Sequence, residues 1–272
     1  MECERGTFAA LAASPPDSSG RTALLLPGYT GSKENFIALL RPLADAGHRV
    51  LAVDLRGQFE TPGPDDASAY TVESLGADVA CIIDALDAGP VHLVGHSLGG
   101  LVAREVALTR ASQLASLTLL DSGPAALGGP HAERARQLME ALGTMSLEDV
   151  WEAMEAVNAE DESMADRTPD VIDLQHRRFT GGSATGLIGM GDALLNEPDR
   201  VEELATAAPC PTLVAYGEDD GHWTAAEQAK MADGLGARHA VIHGAGHSPA
   251  AEAPERTCRV LQDFWAEAEE LA

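Results

Sequence analysis

Short apolar runs alternate along the chain with stretches whose apolar residues recur at helical spacing. Between Val72 and Leu86, for example, apolar residues return every three or four positions, and Gly89-Pro90 follows as a stop signal. We predict helices at residues 32–47, 72–86, 98–109, 224–235 and 254–269. We predict strands at residues 7–13, 22–26, 49–53, 91–94, 117–120, 211–216 and 239–243. This alternation indicates an α/β fold with a mostly parallel sheet that helices cover on both faces.

The alternation stops after Gly123, and up to about Ala207 the pattern predicts helices only, at residues 131–142, 146–158, 169–179 and 184–195. This segment holds five methionines: Met139, Met145, Met154, Met164 and Met190. An insertion between two strands of a parallel sheet usually lies over their C-terminal edge, where ligands bind. We therefore expect a core of residues 1–122 and 208–272 and a helical cap of residues 123–207 with an adaptable apolar roof. Ordinary outer packing is the alternative.

One turn between a predicted strand and a predicted helix has the residues of a nucleophile elbow. Gly95-His96-Ser97-Leu98-Gly99 follows the strand at residues 91–94 and leads directly into the next helix, which is the context that G-x-S-x-G requires. The glycines permit a sharp turn in which strand and helix pack closely. A serine that only caps the helix is the alternative.

A serine hydroxyl is a weak nucleophile, so it needs a base, and the base needs an orienting acid. Both should follow later strands, whose C-terminal ends line the same edge of the sheet as the elbow. Asp220 follows one such strand and His247 the next, 27 positions later. Asp121, after the strand that follows the elbow, is an alternative acid, and Asp219 is a neighbour that we expect only to cap the turn.

Five motifs in chain order resemble those of the α/β-hydrolase fold family over nearly the whole chain. They are Leu24-Leu25-Leu26-Pro27-Gly28-Tyr29, Asp54-Leu55-Arg56-Gly57, Gly95-His96-Ser97-Leu98-Gly99-Gly100, Gly217-Glu218-Asp219-Asp220 and Gly246-His247-Ser248-Pro249. The resemblance implies that Ser97 is the nucleophile, His247 the general base and Asp220 its orienting acid. It also implies an oxyanion hole made by the backbone N–H groups of Tyr29 and Leu98.

The chain departs from the family pattern at two positions. Pro27 replaces a common histidine, which removes a side chain that often braces the oxyanion loop, and Gln58 stands where Gly-His more usually follows Arg-Gly. For the substrate pocket we expect contributions from Tyr29, His96, Met139, Met154 and Trp223, with His222 near the site. Arg177 and Arg178 are predicted to be solvated cap residues, and a clamp for a substrate carboxylate is the alternative.

The net charge of the chain limits the kinds of molecule that we expect it to bind. The formal net charge of −25 would repel nucleic acid and anionic membranes, which leaves a small-molecule substrate and a monomer or homodimer as the expectation. We predict no cofactor and no metal, because no dinucleotide or phosphate-loop motif and no ligand cluster is present. The start of the chain lacks signal-peptide character, and Cys3, Cys81, Cys210 and Cys258 lack C-x-x-C spacing. Free thiols and a cytoplasmic location are therefore expected.

A serine at the elbow disfavours dehalogenases and epoxide hydrolases of this family, which use an aspartate there. The leading hypothesis is a serine hydrolase that cleaves an ester, thioester or lactone of a small, largely apolar substrate through an acyl-enzyme on Ser97. A carbon–carbon bond hydrolase, a perhydrolase, or a hydrolase or cyclase of natural-product synthesis on the same triad stays open. So does a non-catalytic binding protein of this fold.

Overall fold

The strands of the protein are short and mostly buried. A computed structural model of the chain describes residues 1–15, 20–160, 167–207 and 210–271. The strands in these ranges are β1 (Glu2–Cys3), β2 (Gly6–Thr7), β3 (Ala10–Ala13), β4 (Thr22–Leu26), β5 (Arg49–Val53), β6 (Val91–His96), β7 (Leu114–Leu120), β8 (Thr212–Gly217) and β9 (Arg238–Ile242). Strands β4 and β6 are buried along their full length, because helices cover both faces of the sheet there.

The central sheet has seven strands in the order β3-β5-β4-β6-β7-β8-β9. Strand β3 pairs antiparallel with β5 at the edge, and every other pair in this sheet is parallel. The C-terminal ends of β6, β7, β8 and β9 therefore lie along one edge. The predicted fold class, an α/β fold with a mostly parallel sheet flanked by helices, is confirmed.

Helices connect the parallel strands. They are α1 (Ile37–Asp45), α2 (Val72–Leu86), α3 (Leu98–Arg110), α4 (Gly129–Leu142), α5 (Leu147–Asn158), α6 (Pro169–Thr180), α7 (Ala184–Asn196), α8 (Val201–Ala207), α9 (Ala225–Leu235), α10 (Pro249–Glu252) and α11 (Pro254–Glu270). Helices α1 and α11 pack together against one face of the sheet, where Trp265 is fully buried. Helices α2 and α3 pack together against the other face, and α9 covers β8 and β9.

Helices α4 to α7 form the insertion between β7 and β8. Helix α4 contacts α7, and α5 contacts α6. Helix α8, which no pattern predicted, packs instead against α3 and α9 in the layer that covers the sheet. The domain boundaries expected from the sequence remain a prediction, and Met164 lies outside the described residues.

One arginine of α3, the helix that follows the elbow, forms hydrogen bonds with both ends of the insertion. Arg104 is 2 % exposed, and its guanidinium group donates to the carbonyl oxygen of Pro124 at the start of the insertion and, at 2.7 Å, to the carboxylate of Glu197 at its end. A buried charge needs such partners, since an unpaired one is strongly unfavourable. The insertion is thus fixed to the helix that begins at the proposed nucleophile.

The N-terminal segment differs from the prediction of one strand at residues 7–13. Gly6 has a φ of 141°, and the chain forms a small antiparallel hairpin of β1 and β2 before β3 begins at Ala10. The prediction of four free thiols is also wrong, because the structure pairs Cys3 of this hairpin with Cys81 of α2 in a disulfide, with Cα atoms 5.9 Å apart. Spacing could not reveal a bond across 78 residues.

The disulfide bears on the expected location. Disulfides persist mainly in oxidising compartments, so the cytoplasmic prediction loses the support that free thiols gave it. Cys210 and Cys258 remain free thiols. Within the described ranges, no helix combines the length and apolar character that a membrane span requires.

Candidate active site

Ser97 occupies a strained turn between β6 and α3. Its backbone has φ 54° and ψ −120°, a conformation that costs a non-glycine residue free energy and that is typical of functional sites. Two hydrogen bonds stabilise this conformation. The Ser97 N–H donates to the carbonyl oxygen of Leu120 at 3.0 Å, and the Ser122 hydroxyl donates to the Ser97 carbonyl oxygen at 2.9 Å. The hydroxyl therefore stands at the N-terminus of α3, where backbone N–H groups favour negative charge.

The two glycines of the elbow are required by close approach. A Cβ atom on Gly95 would collide with the carbonyl oxygen of Gly99. A Cβ atom on Gly99 would lie 2.6 Å from the carbonyl oxygens of Leu26 and Pro27. The turn is therefore built by its glycines and does not depend on the serine side chain.

The carboxylate of Asp220 contacts the imidazole ring of His247. The Nδ1 atom of His247 is 2.9 Å from Oδ1 of Asp220, which also accepts from the backbone N–H of His222 at 2.9 Å. The second oxygen, Oδ2, accepts from the Gln228 side chain at 2.9 Å. Gln228 is a buried group of this site that sequence reasoning missed, because its position on α9 shows no motif.

Asp121, the alternative acid, is placed differently. Its Oδ1 atom accepts from the backbone N–H of Gly217 at 2.9 Å, and the residue is fully buried directly after β7. The carboxylate that touches the imidazole of His247 is therefore that of Asp220. Asp219 is exposed on the surface.

The charges of this pair suit acid–base work. Burial lowers the pKa of His247, although the Asp220 carboxylate acts in the opposite direction. Burial alone would raise the pKa of Asp220, but hydrogen bonds from His222 and His247 hold it below the ordinary value. The pair at neutral pH is therefore a neutral imidazole beside an ionised carboxylate, with Nδ1–H of His247 donating to Asp220. This tautomer leaves Nε2 as the proton acceptor.

The loop after β4 lies against the elbow. A Cβ atom on Gly28 would be 3.1 Å from both the Cβ of Ser97 and the Nδ1 of His96. The side chain of Gln58 braces this loop by donating to the carbonyl oxygens of Gly28 at 2.8 Å and Tyr29 at 3.2 Å. Gln58 thus holds the loop that the absent histidine at position 27 would have supported, a role that sequence reasoning did not assign to it.

The same loop is fixed to the end of β5 by a buried ion cluster. The Lys33 ammonium lies 2.9 Å from Asp54, 3.0 Å from Glu34 and 2.6 Å from Glu60. Burial would lower the pKa of Lys33, but the hydrogen bonds that its ammonium group donates to Glu60 and Asp54 raise it above its ordinary value. Lys33 is therefore a permanent cation at 3 % side-chain exposure.

His96, which the sequence predicted to line the substrate pocket, contacts the backbone of His247. Its Nε2 atom is 2.6 Å from the carbonyl oxygen of His247, so we assign Nε2–H as the donor. Burial lowers the pKa of His96 to about 3, and the imidazole is neutral at working pH. The centroid of its ring lies 5.0 Å from that of the His247 ring.

Three imidazole rings form a stack that reaches from the insertion to the proposed base. His222 lies on His247 with ring centroids 3.5 Å apart, and His131 of α4 lies on His222 at 3.8 Å. The structure thus places His222, which we expected near the site, beside His247. His131 gave no signal in the sequence, since it begins an ordinary amphipathic helix.

The remaining pocket candidates fall into two groups. Tyr29 and Met139 both lie against Gly191 of α7, and the Tyr29 hydroxyl is buried without a hydrogen-bond partner among the residues that the structure describes. Trp223 is 3 % exposed, lies against Gly123 and has its ring centroid 6.3 Å from that of His247. Met154 packs on the core cluster, and no contact places it beside Ser97.

The two cap arginines also differ from one another. Arg177 is exposed and pairs with Asp173, as a solvated residue would. Arg178 is partly buried and donates to Asn35 at 3.0 Å, so it is not the fully solvated residue that the sequence predicted. Within the described part of the chain, its buried Nε atom has no hydrogen-bond partner.

Two groups of side chains have metal-ligand atoms within 4.8 Å of one another: Asp220, His222 and His247, and separately His48, His92 and Glu269. In the first group Asp220 and His247 already share a hydrogen bond. In the second, His92 contacts Glu269 at 3.2 Å and Ser116 at 2.8 Å. The hydrogen bonds account for both groups, and the expectation of no metal remains a prediction.

The sheet order, the elbow and the strand-end positions of Asp220 and His247 define one class of protein. The family model for the alpha/beta hydrolase fold matches residues 23–254, so the chain belongs to the α/β-hydrolase fold family. The resemblance inferred from five motifs is confirmed.

The individual relatives are named for different activities. The chain is 32 % identical to a Variovorax paradoxus protein named "Putative carbamate hydrolase RutD", over 92 % of this chain and 93 % of that one. It is 28 % identical, over 95 % of both, to a Bacillus subtilis protein named "Putative 2-succinyl-6-hydroxy-2,4-cyclohexadiene-1-carboxylate synthase". The structure of a thermophilic esterase from Thermogutta terrifontis has a TM-score of 0.79 and 26 % identity, covering 96 % of this chain and 93 % of the other.

Proposed function

We propose that the protein is a serine hydrolase that cleaves an ester, thioester or lactone of a small, largely apolar substrate. The observation that carries the proposal is the contact of Asp220 with His247 at the sheet edge where Ser97 stands on its strained turn. A serine, a neutral histidine and an ionised carboxylate in this order supply nucleophile, base and orienting acid.

In the proposed reaction, Nε2 of His247 takes the proton of the Ser97 hydroxyl as its oxygen attacks the substrate carbonyl carbon. The backbone N–H groups of Tyr29 and Leu98 stabilise the oxyanion of the tetrahedral intermediate. The imidazolium then returns the proton to the leaving group, and an acyl-enzyme forms on Ser97. Water, activated by the same imidazole, releases the acid. Asp220 stabilises the imidazolium in both halves of the reaction.

The insertion is proposed to act as a cap that sets substrate size. Support comes from α4 and α7, which bring Met139 and Gly191 against Tyr29 of the oxyanion loop. The Tyr29 hydroxyl, buried and without a partner among the described residues, offers one polar group beside Met139 and Gly191. Such pockets fix orientation with few polar groups and select by shape.

The test is covalent labelling with a fluorophosphonate, which reacts with activated serines. We expect one label per chain, on Ser97 by peptide mass spectrometry, and none in the Ser97→Ala variant. That variant should stay folded, because the turn depends on its glycines. It should also lose nearly all hydrolysis of a panel of esters, thioesters and lactones. An unlabelled Ser97 and an inactive parent protein across the panel would favour a non-catalytic binding protein.

A carbamate is the second candidate substrate class, favoured by the relative that is 32 % identical over 92 % of the chain. The same triad can attack a carbamate carbonyl, since the tetrahedral intermediate has the same oxyanion. Adding aryl carbamates to the panel, with leaving groups matched to the esters, separates the two classes. A kcat/KM higher for the carbamate than for its matched ester would replace the first proposal with the second. Carbon–carbon cleavage, perhydrolysis and cyclase chemistry remain alternatives on the same triad.

A further inference from the structure

Asp121 is a buried carboxyl group that the proposed mechanism does not use. It is 0 % exposed and follows β7 in the left-handed region, with φ 45°. Aspartate tolerates this region better than most residues, but the conformation still has to be held. Its backbone N–H does so by donating to the carbonyl oxygen of Ala215 at 2.8 Å, which extends the pairing of β7 with β8.

Only one oxygen of this carboxyl group has a hydrogen-bond donor among the residues that the structure describes. Oδ1 accepts from the Gly217 N–H at 2.9 Å, whereas Oδ2 is buried and no N–H or O–H group reaches it. An ionised carboxylate that is buried with one bare oxygen is costly, because neither water nor a donor replaces its hydration. A neutral carboxyl group, which carries a proton of its own, avoids that cost.

The neighbouring group is an acceptor. Gly217 holds Asp121 and Asp220 side by side, since its N–H donates to Oδ1 of Asp121 at 2.9 Å and its carbonyl oxygen accepts from the backbone N–H of Asp220 at 3.1 Å. The negative charges of Asp220 and Glu252 both act on the Asp121 carboxyl group. Two carboxyl groups so close cannot both ionise readily, so one of them keeps a proton. Burial, first, and the Asp220 charge raise the pKa of Asp121 well above its ordinary value. Asp220, which faces His222 and His247, is the one that ionises.

We propose that Asp121 is a positioning residue, a carboxylic acid that donates a hydrogen bond from Oδ2–H to the Asp220 carboxylate. This bond gives the bare oxygen its partner and adds to the bonds that Asp220 accepts from His222, His247 and Gln228. The inference rests on the proposed function, because it assigns Asp121 a part in holding the acid of that triad. Asp121 touches neither substrate nor His247 and acts through Asp220 alone.

The bond has a definite effect on His247. A hydrogen bond from Asp121 spreads the negative charge of Asp220 and weakens its pull on a proton at His247. Removing the donor therefore raises the pKa of His247, and the acid limb of the activity profile moves to higher pH. If Asp121 were instead ionised, removing its charge would lower the pKa of His247 and move the limb to lower pH.

Two substitutions separate these cases. Asp121→Asn keeps a carbonyl oxygen for Gly217 and an N–H donor for Asp220, so we expect kcat within about threefold of the parent and an unmoved acid limb. Asp121→Ala loses the donor, so we expect kcat roughly 10- to 100-fold lower, little change in KM and an acid limb at higher pH. A purely structural role would lower the folded fraction in Asp121→Ala without moving the limb, which would overturn the proposal. A limb at lower pH in Asp121→Asn would also overturn it.

Infrared difference spectroscopy gives a readout that needs no activity and no Ala variant. At neutral pH, the parent minus Asp121→Asn spectrum should contain the C=O stretch of a carboxylic acid, and the parent minus Asp219→Asn spectrum should not. Asp219 is the matched control, since it is an exposed carboxylate beside Asp220. Absence of the acid band overturns the inference. This outcome is distinct from failure of the proposed function, which an unlabelled Ser97 would report.

Discussion

His247 combines contacts that act on its proton in opposite directions. Asp220 holds Nδ1 at 2.9 Å and favours the imidazolium, whereas burial and the neighbouring ring of His222 disfavour it. Burial is the largest of these effects. The residue is therefore neutral and ready to accept a proton at a pH where an exposed histidine would still be partly charged.

The first prediction is the position of the acid limb. The proposed mechanism requires neutral His247, so kcat/KM should rise with pH through the pKa of His247 and then level off. Since burial lowers that pKa, we expect the limb below about pH 6.5, the ordinary value for histidine. The measurement is kcat/KM from about pH 4 to 8 with a non-ionising ester, after checking that the protein stays folded. A midpoint above about pH 7 would contradict the burial of His247.

Among structural elements, the loop after β4 is held by both a side-chain amide and an ion cluster. Gln58 braces its carbonyl groups, and Lys33 lies among the carboxylates of Asp54, Glu34 and Glu60. Gln58, Asp54 and Glu60 all follow β5, so their contacts join the loop after β4 to that segment, whereas Glu34 is the chain neighbour of Lys33. The proposed donor at Tyr29 is thus positioned by residues of another loop.

The second prediction concerns Lys33. Lys33→Met should lower the free energy of unfolding by about 3–5 kcal/mol, because it leaves the buried Asp54 carboxylate without its cation. Chemical denaturation at neutral pH measures the change. Lys230→Met is the control, since Lys230 is exposed on α9 and its replacement should change stability by less than about 0.5 kcal/mol. Equal effects of the two substitutions would show that the buried cluster is not stabilising.

The third prediction concerns the insertion. Met139 of α4 lies against Gly191 next to Tyr29, whereas Met145 is 42 % exposed. Met139→Ala should therefore raise the ratio of kcat/KM for a bulky ester to that for a small one by roughly 10-fold, as expected for a pocket that gains a few methylene volumes. Met145→Ala should leave the ratio unchanged. A ratio that neither variant moves would indicate that α4 is outer packing.

At the scale of structural elements, the sequence predicted most helices and strands but few of the contacts between them. The strands and helices around the elbow lie where apolar periodicity placed them, because buried strands and amphipathic helices each have a clear period. Helices α8 and α10 were missed, since seven and four residues are too few for a period to show. The hairpin at the N-terminus was missed because two-residue strands have no pattern.

In the candidate site, the sequence predicted the residues that stand in motifs. Ser97, Asp220 and His247 follow strand ends, so chain order was enough to bring them to one edge. Gln228 and His131 could not be found, because each reaches the site from the face of a helix. The orientation of Asp121 also could not be found, since it depends on which backbone N–H its carboxyl group meets.

For the whole molecule, the fourth prediction concerns the disulfide between Cys3 and Cys81. It closes a loop of about 78 residues, which in the chain-entropy account stabilises the fold by about 4 kcal/mol. Cys81→Ser should therefore lower the unfolding free energy by roughly 2–4 kcal/mol, and reductant should have the same effect on the parent but none on the variant. Cys210→Ser, at a free thiol, is the control. A parent protein insensitive to reductant would contradict the pairing.

The burial of Lys33 has a practical consequence for conjugation chemistry. The chain has two lysines, and the ammonium group of Lys33 is enclosed among three carboxylates. Lys230 is exposed on α9. Of the two lysine side chains, an amine-reactive ester should therefore couple mainly to that of Lys230. Coupling through lysine would attach the folded protein to a resin or a dye by the outer side of α9.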